Sequence, residues 1–157
     1  IEYLLTDTSI DRIVIRPHPR DSRRVFQNYI NHDRVFFSDS RVESSIEFLI
    51  GINLLLAGNS SILLEAALTN VIPVQLEMSS SSDSIYDYYG FIKSGVAIEC
   101  KSIDELKKLV EAVRSGRKKF SRVAAMEYDS SVGENYEFQV EKYIISILKD
   151  KYSITPC

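Results

Sequence analysis

Cysteine is scarce: Cys100 and the terminal Cys157 are the two in a chain of 157 residues. That excludes a disulfide framework and a cysteine-based metal pattern, and makes a reducing compartment the expectation. Long apolar runs are missing too, and nothing approaches the ~20 residues that cross a bilayer. Positive charge is not in excess: 19 Lys and Arg face 22 Asp and Glu, a net charge of −3. This argues against a general nucleic-acid binder. No carboxylates cluster at metal-ligand spacing, so no metal is expected. The sequence opens at Ile1 with no initiating Met and no signal peptide. From this the chain is expected to start inside a longer protein, with part of its site elsewhere.

What is present fits a globular fold, 45% hydrophobic and 26% charged. A chain of this size suits one domain, residues 1–157, burying roughly 70% of its unfolded surface. Short β-branched runs alternate with longer amphipathic stretches, the pattern of a parallel α/β sheet flanked by helices. Strands are expected at Ile13–Arg16, Val35–Ser38, Ile52–Ala57, Pro73–Leu76 and Val96–Glu99. Helices are expected at Arg20–Asn31, Val42–Leu49, Ser60–Leu68, Ile103–Arg114 and Asn135–Asp150. Glu43, Ser44 and Ser45 suit the first turn of the second helix, Asn70 the end of the third, and Ser102 the cap of the fourth. The serine-rich stretch Met78–Ser84 and the segment Asp129–Gly133 read as loops. Arg117–Tyr128 is ambiguous.

Two strand exits concentrate the chemistry. Arg16-Pro17-His18-Pro19-Arg20 follows the first strand, and Gly58-Asn59-Ser60-Ser61 follows the third. In open α/β sheets ligands bind at this edge, where free amides meet anions. The two prolines hold His18 extended, and its near-neutral pKa suits it to donate a hydrogen bond or a proton to a phosphate. Arg16 and Arg20 offer forks that match phosphate oxygens. A helix cap accounts for one serine of Ser60 and Ser61, not for both, nor for Gly58, which lets a ligand approach the backbone. Glu65 lies one turn beyond Ser61 on the same helix face, placed to accept ribose hydroxyls. An ionised group among Leu63, Leu64, Ala66 and Ala67 calls for a partner. His32, in a polar turn, carries no role. Tyr86, Tyr88 and Tyr89 are better read as packing than as a stacking platform, and the basic run Arg114–Arg122 as a solvated helix end.

The segment Ser60 to Val74, Ser-Ser-x-x-x-Glu-Ala followed by Pro-Val, resembles the donor-binding half of two-domain GT-B glycosyltransferases. The His-Pro turn with a later Ser-Ser pair resembles, more narrowly, bacterial sialyltransferases, polysialyltransferases and capsule-polysaccharide transferases that use CMP-sugars. It is also similar to CDP-glycerol polyol-phosphate transferases, although Ala57, Gly58 and Asn59 replace the Asp-Tyr common there. The resemblance implies a Rossmann-like domain that acts with an N-terminal acceptor domain. By it His18 contacts or protonates the donor phosphate. Arg16, Arg20, Gly58, Asn59, Ser60 and Ser61 bind that phosphate, and Glu65 binds the ribose. The implied donor is a nucleotide sugar, CMP-linked by preference, with no cofactor. A glycan acceptor, a role in surface polysaccharide or lipooligosaccharide synthesis, and a cytoplasmic place at the inner membrane face follow. The acidic base motif of those sialyltransferases is absent here. Two rivals stand beside this reading: a nucleotide-sugar 2-epimerase, and a non-catalytic Rossmann-like interaction domain.

Overall fold

The computed structural model describes residues 1–18, 23–77, 87–118 and 120–130. Five short strands form: β1 (Ile13–Ile15), β2 (Val35–Phe37), β3 (Leu54–Ala57), β4 (Ile72–Leu76) and β5 (Ile98–Cys100). Around them lie α1 (Glu2–Thr6), α2 (Ser45–Leu49), α3 (Ile62–Leu68) and α4 (Ile103–Arg114). A fifth helix, α5, covers 123–130. The fold is α/β, with parallel sheets flanked by helices.

The strands fall into two ladders. β1 pairs with β2, Ile15 opposite Phe37, while β4 lies between β3 and β5. In the larger ladder Ala57, Gln75 and Glu99 share a row at the carboxyl end. Pro73 is tolerated inside β4 for a local reason. The Ile72 N–H donates to the Asn53 carbonyl at 3.0 Å, so the next backbone nitrogen points toward β5. There the ladder begins only at Val74 opposite Ile98, and no donor is missed.

Each face of the larger sheet has its own core, because successive side chains alternate. On one face, Ile72, Val74 and Cys100 pack with Leu106 and with Leu109, Val110 and Val113 of α4. On the other, Leu55 packs with Leu63, Ala66 and Ala67 of α3, Phe48 and Leu49 of α2, Phe91, Val96 and Ala125. Val14 of β1 joins this second cluster and brings the smaller ladder to it.

Helix ends follow their side chains. Ser102 accepts from the Glu105 N–H at 3.2 Å, with Asp104 and Glu105 in the first turn of α4 and Arg114 in its last. α3 closes on Asn70 in the left-handed region, φ 63°. There the Val71 N–H reaches the Ala66 carbonyl at 2.9 Å and the Asn70 N–H that of Ala67 at 3.4 Å, a Schellman ending. Arg34 holds the exit of α1, donating to the carbonyls of Leu5, Asp7 (2.9 Å) and Ile10 (2.8 Å).

Three expectations are corrected. Arg23–Tyr29 is a 3-10 helix rather than an α-helix. Phe26 packs edge-on against Phe37, while Val25 and Ile30 are 74% and 54% exposed, so the anticipated apolar stripe is not buried. α2 starts at Ser45 instead of Val42, and α5 runs through Asp129 and Ser130, where a loop was expected. The helix expected at Asn135–Asp150 lies outside the described residues.

Ser102→Ala removes a working cap and is expected to cost about 1 kcal/mol. Leu63→Ala, at a site with no exposure, is expected to cost about 2–5 kcal/mol. Chemical denaturation of the two variants checks both, and equal costs would refute the assignment.

Candidate functional site

The side chain of Arg16, at the end of β1, is 12% exposed and makes its contacts inside the fold. Nη1 donates to Ser38 Oγ at 2.7 Å and to Glu43 Oε2 at 3.2 Å, and Nη2 to the Glu43 carbonyl at 2.7 Å. Ser38 Oγ in turn donates to Glu43 Oε2. The guanidinium also lies over the Phe48 ring, 5.0 Å from its centroid. The expectation that Arg16 forks a donor phosphate therefore meets a guanidinium with both terminal nitrogens already bound.

Glu43 can reach Arg16 because it stays out of α2. Ser44 is extended (φ −67°, ψ 163°) and forms a capping box with Glu47. The Glu47 N–H donates to Ser44 Oγ, and the Ser44 N–H donates to Glu47 Oε2 at 2.8 Å. The helix begins one residue later, which leaves the Glu43 carbonyl free to accept from Arg16.

The next residue carries the chain of contacts across the site. Ser45 Oγ, in the first turn of α2, donates to Glu65 Oε2 on α3. The partner that Glu65 required is thus a serine. Its other carboxylate oxygen makes no hydrogen bond among the described residues. Residues 43–45 therefore touch both turns: Arg16 two residues before His18, and Glu65 four residues after Ser61.

The second turn is poorly explained by the fold alone. Ser61 is the N-cap of α3, yet it makes no side-chain cap bond. Among the described residues neither its hydroxyl nor that of Ser60 is hydrogen-bonded. Gly58 has an ordinary backbone, and a Cβ built on it meets nothing within 4 Å. The chain's own packing does not demand glycine there. Ser60 is half-buried, while Gly58, Asn59 and Ser61 are exposed.

His18 is exposed, and Arg20 lies outside the described residues, as do Met78–Ser84 and Tyr86. Tyr88 and Tyr89 are 66% and 37% exposed, with Tyr89 stacked on buried Phe91 at 5.1 Å. Arg114 and Arg117 pair with Glu111, a solvated helix end. A hollow of about 410 Å³ bordered by Gly95, Ile98, Phe120 and Glu127 shares no residue with either turn. No group of metal-ligating side chains occurs among the described residues. None of their helices is long and apolar enough to cross a membrane.

Sequence reasoning missed Ser38, the task of Glu43, and the Ser45–Glu65 bond. One signal was present: Ser44-x-x-Glu47 is a capping-box spacing that sets Glu43 outside the helix. Comparison with protein-family models, curated proteins and solved structures finds no match for this chain.

A double-mutant cycle on Arg16→Met and Glu43→Gln is expected to give a coupling of about 1–2 kcal/mol. Additive costs would show that the pair is incidental. The capping box adds a pH dependence. Hydrogen bonds from the Ser44 backbone N–H, then from its hydroxyl, hold the Glu47 carboxyl below its ordinary value of 4.5. Its contribution is complete above the unfolded value and fades as pH falls through the lower folded one. Melts between about pH 6 and about pH 3 are expected to show a shallower acid loss in Glu47→Ala than in the parent.

Proposed function

We propose that this chain is the donor-nucleotide-binding domain of a glycosyltransferase, a Rossmann-like half of a GT-B enzyme. One observation carries the reading. Two serine hydroxyls that make no hydrogen bond among the described residues follow an open-sided glycine, and residues 43–45 tie the helix after them to Arg16 at the His-Pro turn.

In this reading Ser60 and Ser61, with the backbone at Gly58 and Asn59, receive the donor phosphate. The free oxygen of Glu65 accepts from a ribose hydroxyl. An acceptor oxygen attacks the anomeric carbon, the bond from that carbon to the phosphate oxygen breaks, and the phosphate keeps the electron pair. His18 donates to that departing oxygen, and Arg20 supplies cationic charge beside it, an electrostatic form of catalysis. Arg16 acts at one remove: through Glu43 it fixes the strand end from which His18 projects. The donor is a nucleotide sugar, with a CMP-sugar the first candidate. A second domain supplies the acceptor glycan and the base, at the cytoplasmic face of a membrane.

The test is a thermal-shift titration with CMP, CDP, UDP, GDP and ADP, on the parent, His18→Ala and Ser60→Ala/Ser61→Ala. Ligand at ~100 times its Kd adds about 2.7 kcal/mol, and each kcal/mol moves the midpoint of a chain this size by roughly 2–4 °C. The expected result is a shift with cytidine nucleotides that the serine variant loses while its ligand-free melting stays within about 0.5 kcal/mol of the parent. A shift with UDP alone changes the donor and keeps the class. No shift with any nucleotide overturns the reading in favour of an interaction domain.

A further inference from the structure

Gln75 and its row-mate Glu99 are the polar side chains of the larger ladder with buried atoms that make no hydrogen bond among the described residues, and only Gln75 is left so at both of its polar atoms. Gln75 is 1% exposed, and among the described residues neither its Nε2 nor its Oε1 has a hydrogen-bond partner. Buried amides are nearly always paired in native folds, so an amide orphaned at both ends calls for an explanation, and a bound ligand is one.

Its neighbours explain why no partner comes from within. Ile72, Val74 and Leu76 of β4 face the α4 side, and by alternation Gln75 faces the α3 side with Pro73. On that face its row-mates are Ala57 and Glu99. Glu99 Oε1 lies 2.9 Å from Lys101 Nζ, an ion pair without hydrogen-bond geometry, and it does not reach the Gln75 amide. Ala57 offers only a methyl group, and a Cβ built on Gly58 beyond it meets nothing within 4 Å. The side of the row away from Glu99 therefore leads to the turn 58–61, with the two serine hydroxyls that make no hydrogen bond among the described residues.

We propose that Gln75 is the specificity-determining residue of this site, and that its amide reads the edge of a nucleobase. The inference rests on the nucleotide reading above and adds which residue selects the base. An amide presents one acceptor and two donors in a plane. Phosphate oxygens cannot satisfy Oε1, because they only accept at neutral pH. A base edge with an adjacent donor and acceptor, such as N4 and N3 of cytosine, satisfies both ends at once. The residues that share its face, Pro73 in the same strand and Ala57 opposite it, are apolar, which suits a flat heterocycle better than a sugar diol. Because the amide is unpaired without ligand, a base that pairs it gains over one that does not.

The experiment compares binding of CMP, UMP, AMP, GMP and ribose 5-phosphate to the full chain by calorimetry, for the parent, Gln75→Leu and Gln75→Glu. Ribose 5-phosphate carries the phosphate and sugar contacts without a base. The parent is expected to bind its best nucleotide at least ~10-fold more tightly than ribose 5-phosphate. In Gln75→Leu that advantage is expected to vanish while ribose 5-phosphate binds as before and the melting temperature holds or rises. Gln75→Glu, similar in size but stripped of the amide donor, is expected to change which base is preferred, and serves as the second variant should the first not fold. An unchanged base preference in either folded variant overturns the inference, as does a parent that binds ribose 5-phosphate as well as any nucleotide. The nucleotide reading survives both of those outcomes. Binding of none of the five probes overturns both.

Discussion

A guanidinium shielded from water must find its counter-charge inside the fold, and Arg16 finds it in Glu43. Much of the local architecture depends on that pairing. It fixes the carboxyl end of β1 against the segment leading into α2, and Ser38 is drawn in as both acceptor and donor. The Ser44 capping box keeps Glu43 outside α2. Ser45 then extends the contact to Glu65. Such networks are strong when complete and costly when one member is removed. A polar chain thus runs from the His-Pro turn to α3 without a backbone ladder between them.

The apolar part of the molecule makes that arrangement affordable. Two separate cores, one on each face of β3–β4–β5, hold the strands from both sides. With α3, the 87–97 segment and α5 on one face and α4 on the other, the carboxyl ends of the strands are where polar groups collect. Gln75, Glu99 and the turn after Ala57 all lie at that end.

How much of this was legible in the sequence differs by element. α4 was readable to the residue, because its apolar period, Ser102 cap and charge asymmetry agree. The strands were found, with ends displaced by up to two residues. Arg23–Tyr29 was not readable as 3-10, since the spacing of Val25, Phe26, Tyr29 and Ile30 fits an amphipathic α-helix and only the exposure of Val25 and Ile30 reveals the difference. Of the site, the two turns were visible as unusual sequence. The bond between Arg16 and Glu43 was not, because a contact across 27 residues leaves no local pattern. Gln75 was invisible for the opposite reason: in sequence it is one amide in a strand, and its isolation exists only once its row-mates are known.

The split into two ladders has a consequence for how such a domain can diversify. β1–β2 carries one turn and β3–β4–β5 the other, and the hydrogen bonds of Arg16 and Glu65 meet in a three-residue bridge, residues 43–45. The polar contact between the halves is short, an acid at 43, a hydroxyl at 45, and their partners at 16 and 65, beside the apolar contact of Val14 with the larger sheet's core. A lineage, or a designer, keeping those four positions and the apolar seat of Val14 could alter the chemistry at one turn without rebuilding the other.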